Sequence, residues 1–292
     1  MTSEPMYAAV LVNYNGGAEL ERALRSISDE LTGHPWEGVV VDNASTDGSA
    51  RLADAWDAHV RVIPNNENVG FARGVNQGLA ATDAPYVLIM NPDCRLMAGA
   101  IGTLRAVLDA DTQCAIVGPR ILNPDGSVQG SARGDPDMLT GLFGRRGLLR
   151  RVMPFLPIAR RNVVVDEVIR SGQRSSVVDW LSGACMLARR DALAAVNGFD
   201  ERFFLYWEDA DVCRRLRARG YHVRYVPGAT AIHRVGQSSR TARASAIRAF
   251  HESAYVYYAT HVAPARFSPK RAMARAILHT RCWVQLLTAS FR

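Results

Sequence analysis

The chain has few cysteines, no long apolar run and no recognisable export signal. Its five cysteines (Cys94, Cys114, Cys185, Cys213 and Cys282) are scattered, with no Cys-x-x-Cys pair. We therefore expect free thiols in a reducing compartment. The first residues lack a basic segment followed by a long apolar core, and no run is long enough to span a bilayer. The sequence thus predicts a cytoplasmic protein without a signal peptide.

Acidic residues are nearly absent from the C-terminal fifth of the chain. From 234 to 292 there are ten Lys and Arg side chains but one acid, Glu252. Because the net charge of the whole chain is +7, the preceding residues carry −2 in total. A basic end on a near-neutral body indicates a membrane or a nucleic acid as partner, although a solvated basic face has the same composition. RNA-binding motifs and zinc spacings are absent, so no nucleic-acid partner is expected.

Short apolar runs alternate with helix-like segments through the first 120 residues. The central run, VLIM at 87–90, is bounded by Pro85 and Pro92 and is typical of a strand buried on both faces. Further strands are predicted at 7–14, 38–41, 60–63 and 114–118, and helices at 18–29, after the glycine-rich 68–78, and at 98–110. This alternation predicts an α/β fold with a Rossmann-like, mostly parallel sheet flanked by helices.

Polar side chains follow several of these strands. Asn13 and Asn15 end the first strand, Asp42 ends the second, and Asp93 follows the VLIM run. Right-handed crossovers bring these ends to one edge of the sheet, where ligands bind in open α/β folds. One aspartate in a turn is more often an Asx-turn or a helix cap than a metal ligand. Several at successive strand ends indicate a nucleotide site, with helix N-termini available to a diphosphate.

The second half of the chain is less regular. Strands are predicted at 179–189 and 221–226, and helices at 191–196 and 208–219. Capping and the helix dipole explain one or two of the acids Glu208, Asp209 and Asp211 in the first turn of the last helix. A lone histidine at a strand end, His233, is more often structural than a ligand. The segment 138–161 mixes Arg with Leu and Phe, which fits either a cover over the core or a membrane-facing element.

Six motifs stand in a fixed order along the chain, followed by His233: LVNYN, VVDNASTDGS, NVGFARGVNQG, LIMNPD, WLSGACMLARR and GFDERFFLYWEDADVCRRLRARGY. The set resembles family 2 glycosyltransferases, which are inverting, nucleotide-sugar-dependent enzymes of GT-A fold. The last two blocks look most like bacterial rhamnosyltransferases, which use dTDP-rhamnose in O-antigen or cell-wall linker assembly. The resemblance covers about 7–234. It implies a catalytic domain at 1–234, divided into a nucleotide-sugar half (1–120) and an acceptor half (121–234), and a basic helical tail at 235–292.

The resemblance assigns the donor and metal sites. Asp42 matches the aspartate that accepts the N3–H of uracil or thymine. Asp93 matches the metal-binding carboxylate, and His233 matches the histidine that completes the site in several relatives; the implied metal is Mg²⁺ or Mn²⁺. Asn91 stands where the family usually has the first aspartate of Asp-x-Asp, so one charge is missing. The other donor-binding residues are predicted to be Asn13, Asn15, Asn68, Gly70 and Asn76, together with Asn91.

The resemblance also assigns the acceptor side. Asp209 matches the catalytic base, a carboxylate that deprotonates the acceptor hydroxyl as the sugar–phosphate bond breaks. Glu208 and Trp180 are assigned to the acceptor, although Trp180 fits an ordinary core tryptophan equally well. The implied acceptor is a saccharide linked to polyprenyl diphosphate.

Other readings stay open. A sugar-phosphate nucleotidylyltransferase would normally carry a glycine-rich, basic loop after the first strand, but the turn NYNGGAEL has no Lys or Arg. A non-catalytic carbohydrate- or nucleic-acid-binding protein would explain the basic tail, but it would not need Asp42, Asp93, Asp209 and His233 at successive element ends. Within the family, galactofuranose or a hexose is the alternative donor sugar.

The segment 271–292 is predicted to form a basic amphipathic helix. At 100° per residue, an arc of about 120° holds Met273, Ala276, Ile277, Trp283, Val284, Leu287 and Phe291, whereas Leu278 and Leu286 fall on the polar side. Such a helix suits an anionic bilayer surface, which would place the protein on the inner face of the plasma membrane. The alternative is that the arc packs on the catalytic domain.

Overall fold

The VLIM run forms strand β4 (Tyr86–Met90) in the middle of a mixed sheet. The computed structural model describes residues 4–135, 172–234 and 243–290. The other strands there are β1 (Tyr7–Asn13), β2 (Trp36–Asp42), β3 (Val60–Pro64), β5 (Cys94–Leu96), β6 (Cys114–Leu122), β7 (Ala132–Arg133), β8 (Ser176–Val177), β9 (Trp180–Leu181), β10 (Cys185–Arg189) and β11 (His222–His233). The helices are α1 (Gly17–Glu30), α2 (Ser49–Asp54), α3 (Phe71–Ala80), α4 (Ala100–Ala110), α5 (Arg190–Ala195), α6 (Glu208–Ala218), α7 (Arg243–Tyr257) and α8 (Pro269–Ser290), with a π-helical segment, Tyr258–Val262, after α7.

The main sheet brings distant parts of the chain to one edge. Its order is β3-β2-β1-β4-β10-β6-β11-β5, with β8 beside β11, among the described residues. The pairs β3–β2, β2–β1, β1–β4 and β6–β11 are parallel, as predicted. Strand β10 runs antiparallel between β4 and β6, so the two halves of the sheet keep the same direction. The carboxyl ends of β1, β2, β4 and β11 therefore lie at the same edge.

Helices cover both faces of the sheet because the central strands are apolar on both sides. In β4, Val87 and Ile89 belong to the core shared with α3, α6 and α7. Leu88 and Met90 belong to the opposite core, shared with α1 and α4. The predicted α/β architecture is thus confirmed.

The strand predicted at 179–189 is interrupted, so that prediction was wrong. Strand β9 ends at Leu181 and pairs with β7 in a separate two-stranded sheet, whereas β10 begins at Cys185. Between them the chain turns at Gly183, whose backbone N–H donates to the carboxylate of Asp209 instead of to a neighbouring strand. The apolar pattern did not reveal the break because buried residues stand on both sides of it.

The C-terminal helices pack on the body of the protein. Ala254 and Tyr257 of α7 and Ala274 and Leu278 of α8 belong to the same core as α3 and α6. The domain boundary predicted at 234/235 therefore falls between segments that share one core. Within the described ranges, no helix is both long and apolar enough to cross a bilayer. The segment 138–161 lies outside the described residues.

Helix α8 buries a face different from the one predicted to be apolar. Leu278 is buried and Leu286 is half-buried, although both fall on the polar side of the predicted arc. Residues of the arc remain exposed: Met273 by 48%, Trp283 by 61%, Val284 by 47% and Leu287 by 41%. Ile277 is half-buried against the core, and Phe291 lies outside the described residues. The alternative in which the arc as a whole packs on the catalytic domain is therefore wrong.

Candidate active site

Asp42 and Asn13 end neighbouring parallel strands, and their side chains are hydrogen-bonded to each other. Nδ2 of Asn13 donates to Oδ1 of Asp42 at 2.7 Å and to Oγ of Ser49 at 2.8 Å. Oδ2 of Asp42 accepts from the backbone N–H of Ser45 at 3.0 Å. Asn13 is 0% exposed and connects the two strand ends, and its part in donor binding stays a prediction.

Amide side chains shape two loops at the same edge. Asn15 has a φ of 52°, and its Oδ1 accepts from the backbone N–H of Thr46 at 2.8 Å. Oδ1 of Asn68 accepts from the backbone N–H of Gly70 at 3.0 Å and from Nδ2 of Asn43 at 3.2 Å. The structure thus places the predicted donor residues Asn15, Asn68 and Gly70 in ordered loops.

Asn76, another predicted donor residue, is occupied by a different turn. Its Nδ2 donates to the carbonyl of Phe199 at 2.8 Å, and its Oδ1 accepts from the N–H of the same residue at 2.9 Å. Nδ2 also donates to Glu201 at 3.0 Å. The geometry favours a structural role for Asn76, which stabilises the turn at Phe199 and Glu201.

Asp93 and His233 meet at the sheet edge, far apart in sequence. Nε2 of His233 lies 3.2 Å from Oδ1 of Asp93, and the two side chains are only 12% and 10% exposed. Strand β5 brings them together because it pairs His233 with Cys94. Nδ2 of Asn91 lies 3.4 Å from the same Nε2 atom. Three predicted donor and metal residues are therefore in one cluster.

Gln129 belongs to this cluster, and the sequence analysis missed it. Its Nε2 donates to the carbonyl of His233 at 2.8 Å and to Oδ1 of Asn123 at 2.9 Å, so its Oε1 faces Nδ1 of His233 at 3.1 Å. Because Oε1 can only accept, Nδ1 carries a proton and Nε2 is the ring nitrogen that faces Asp93. At 3.2 Å, this nitrogen and the carboxylate oxygen of Asp93 must share a proton or a cation. No motif marks Gln129 in the sequence.

Asp93 and His233 fit a divalent cation whose remaining ligands come from outside the protein. Within the part of the chain that the structure describes, no three His, Cys, Asp or Glu side chains form a metal cage. Cys94 is no thiolate ligand, because its hydrogen bond with Cys185 and its burial raise the pKa of its thiol well above the usual value. One carboxylate and one imidazole suit Mn²⁺ or Mg²⁺ when further oxygen ligands complete the coordination.

Asp209 stands in the first turn of α6 against the Gly183 turn. Its Oδ2 accepts from the N–H of Gly183 at 3.0 Å, and its Oδ1 accepts from the N–H of Ala210 at 2.8 Å. Asp209 is half-buried, whereas Glu208 and Asp211 are buried. Asp209 is thus the most exposed of the three acids, and the contact of Glu208 with the acceptor stays a prediction.

Asp211 has a structural environment. It is 0% exposed, and its Oδ2 accepts from Nε of Arg215 at 2.7 Å. Its Oδ1 lies 2.7 Å from Nε2 of His261 in the π-helical segment. These contacts fasten the C-terminal part of the chain to α6.

The turn before Asp209 has an unusual backbone. Tyr206 and Trp207 have φ values of 69° and 71°. Each such conformation costs a non-glycine residue about 1–3 kcal/mol and persists only where the surroundings hold it. The ring of Trp207 lies 5.9 Å from that of Phe250 and 5.3 Å from that of Tyr257, both in α7.

Trp180, which was assigned to the acceptor, is largely a core residue. It is 5% exposed, and its Nε1 donates to the carbonyl of Gly134 at 3.0 Å. The guanidinium of Arg133 lies 5.3 Å from the ring centroid. Its contact with the acceptor stays a prediction.

Comparison with known sequences agrees with the motifs. The model of Glycosyl transferase family 2 matches residues 8–196, and that of Glycosyl transferase family group 2 matches residues 158–290. The chain is 36% identical over 265 residues to an N-acetylglucosaminyl-diphospho-decaprenol L-rhamnosyltransferase of Mycobacterium tuberculosis. That alignment covers 86% of this chain and 83% of the relative.

Two solved structures share the fold. GalNAc-T7 with UDP, GalNAc and Mn²⁺ has a TM-score of 0.61 and 16% identity, over 94% of this chain and 54% of that one. The mannosyltransferase of Pyrobaculum calidifontis in complex with GDP-Man and Mn²⁺ has a TM-score of 0.54 and 20% identity, over 99% of this chain and 80% of that one. Both similarities concern the fold, and they confirm the predicted GT-A architecture.

Proposed function

Because the chain belongs to glycosyltransferase family 2, we propose that it transfers L-rhamnose from dTDP-rhamnose to a saccharide carried on polyprenyl diphosphate. The observation that carries the proposal is the sheet edge where Asp42, Asp93 and His233 stand at or just beyond the ends of β2, β4 and β11. The sugar and the lipid carrier come from the name of the mycobacterial relative. The family match gives no support to a nucleotidylyltransferase or a simple binding protein.

Asp42 reads the base of the donor. Two of its acceptor positions are taken by Asn13 and Ser45, and an ionised carboxylate has about four. A remaining lone pair accepts the N3–H of thymine, whereas cytosine offers no hydrogen at that position. Burial of Asp42 to 4% exposure strengthens this charged hydrogen bond.

Asp93 and His233 would hold a divalent metal together with the donor diphosphate. When bound there, the metal would supply positive charge to offset the charge that develops on the leaving nucleotide. Gln129 keeps the Nε2 lone pair of His233 directed at the site. Asn91, beside it, adds a neutral hydrogen-bonding group where the family usually has a second carboxylate.

Asp209 acts as the general base on the acceptor hydroxyl. The N–H groups of Gly183 and Ala210 fix the orientation of its carboxylate. Such a base typically contributes about 10²–10⁴-fold in rate.

The exposed arc of α8 brings the enzyme to the membrane that carries the acceptor. Lys270, Arg271, Arg275 and Arg281 are the charged residues of α8, and there is no acid from 253 to the C-terminus. Phe267, two residues before the helix, is 94% exposed and adds an apolar side chain near the start of α8. Basic and apolar groups in this combination suit the interface of an anionic bilayer.

The decisive experiment measures product formation by the full-length protein. A panel of dTDP-, UDP- and GDP-sugars is offered with N-acetylglucosaminyl diphosphate on a short polyprenol, and we expect transfer from dTDP-rhamnose. Asp209→Asn should lower the rate at least ~10²-fold with little change in donor binding. The matched control is Asp191→Asn, because Oδ1 of Asp191 likewise accepts from the next N–H in a first helical turn, at 2.7 Å. Normal transfer by folded Asp209→Asn would reject the assigned base, and preference for another sugar nucleotide would reject the donor.

A further inference from the structure

The turn before Asp209 is held from two sides. Two of its successive carbonyl groups accept hydrogen bonds from different helices. The carbonyl of Phe204 accepts from the backbone N–H of Phe71, the first residue of α3, at 2.7 Å. The next carbonyl, that of Leu205, accepts from Oγ of Ser253 in α7 at 2.9 Å. Ser253 is only 2% exposed, so this hydrogen bond is sheltered from water. The start of α3, which follows the loop of Asn68 and Gly70, and helix α7 therefore both contact this short segment.

Helix α7 also holds the two residues that follow. The ring of Phe250 lies 5.8 Å from that of Tyr206 and 5.9 Å from that of Trp207. Both residues have positive φ values, a conformation that relaxes unless neighbours maintain it. Asp209 lies two residues beyond Trp207, so relaxation of the turn would move its carboxylate away from Gly183.

We infer that Ser253 is a positioning residue for Asp209, acting through the Leu205 carbonyl and supported by the ring of Phe250. The C-terminal helices would then be part of the catalytic machinery and not only a means of attachment to a membrane. The inference rests on the proposed role of Asp209 as the base. Ser253 does not touch the substrate in this account, so its loss acts on the rate and leaves donor binding intact.

The test uses the full-length protein with dTDP-rhamnose and the acceptor in detergent, so that no bilayer is present. Ser253→Ala should lower kcat about 10- to 100-fold, the range expected for misplacement of a catalytic group, while the Kd for dTDP changes less than about 2-fold. Glu252→Ala is the matched control, because Glu252 is the preceding residue of α7 and is exposed. This control should leave kcat unchanged.

A double-mutant cycle separates positioning from general damage. In the Asp209→Asn background, Ser253→Ala should have almost no further effect, because the group that it positions no longer accepts the proton. Loss of activity by the same factor in both backgrounds, or an unchanged kcat in Ser253→Ala, would overturn the inference. If Ser253→Ala unfolds at the assay temperature, Phe250→Leu is measured in the same cycle. An active Asp209→Asn would instead overturn the proposed base, so the two failures are distinguishable.

Discussion

The amide of Gln129 contacts both the backbone carbonyl and the ring of His233, at 2.8 and 3.1 Å. Gln129 and His233 are 104 positions apart in the sequence. Because Oε1 of Gln129 can only accept, the contact places a proton on Nδ1 of His233. A metal-ligating histidine normally depends on such a partner for its orientation and basicity. Gln129 therefore belongs to the same cluster as the two residues predicted to bind the ion.

We predict that Gln129→Leu weakens metal binding. With the partner removed, the ring of His233 is free to rotate, and affinity for Mn²⁺ should fall about 10-fold or more. The measurement is Mn²⁺ binding by electron paramagnetic resonance in the presence of dTDP, which requires no turnover. Gln113→Leu, at an exposed glutamine, is the control. Equal Mn²⁺ affinity in the two variants would show that Gln129 does not orient His233.

The local pattern of the sequence predicted the strands β1 to β4 and β6, the helices α1, α3 and α4, and the polar residues at the strand ends. The sequence predicted the metal-binding roles of Asp93 and His233 only through the resemblance to the family. It did not predict Gln129, because a single polar residue between strands has no periodicity and its partner is distant in sequence. The break at Gly183 and the buried face of α8 were missed for a related reason. Both depend on tertiary partners, the Asp209 carboxylate and helix α7, which no local window contains.

Asp42→Asn should weaken binding of dTDP and reduce discrimination between bases. Loss of a hydrogen bond to a charged group costs roughly 1.5–3 kcal/mol, which corresponds to at least about a tenfold rise in Kd. An asparagine amide can also donate to N3 of cytosine, so the ratio of the Kd values for dCDP and dTDP should fall. Calorimetry with both nucleotides measures this ratio. Asp54→Asn, at an exposed aspartate, serves as the control, and the same ratio in both variants would exclude Asp42 as the base-reading residue.

Gly70→Ala should be far more destabilising than Gly99→Ala. Both glycines have positive φ values, +87° and +77°, so an alanine is strained at either position. A Cβ at Gly70 would lie 2.5 Å from the carbonyl oxygen of Phe204, whereas nothing lies within 4 Å of one at Gly99. The ψ of 173° at Gly70 also belongs to a region that is almost exclusive to glycine. Urea denaturation should therefore give a loss in unfolding free energy at least about 2 kcal/mol greater for Gly70→Ala. Similar losses would mean that the donor loop and the turn before Asp209 are not in firm contact.

The exposed arc of α8 predicts that the protein binds to anionic vesicles. Point mutations in the arc should abolish this binding. Trp283 and Leu287 are 61% and 41% exposed and lie one helical turn apart on the same side. Replacing both by serine removes apolar contact with the acyl region, while Ala274 and Leu278, on the buried side, keep α8 attached to the core. This design is preferable to truncation, which would expose that buried face as well as remove the arc.

Flotation with vesicles containing phosphatidylglycerol measures the effect. The unmodified protein should float, and the Trp283→Ser, Leu287→Ser double variant should stay in the dense fraction. Leu52→Ser is the matched control, because Leu52 is a leucine of α2 with 53% exposure and lies outside the arc. Binding should also fall with added salt and on vesicles of neutral lipid, since each basic residue near an anionic surface contributes about 1 kcal/mol. Equal flotation of the double variant and the control would show that the arc is not the membrane contact. A protein that bound neutral and anionic vesicles equally would show that the basic residues of α8 are not involved.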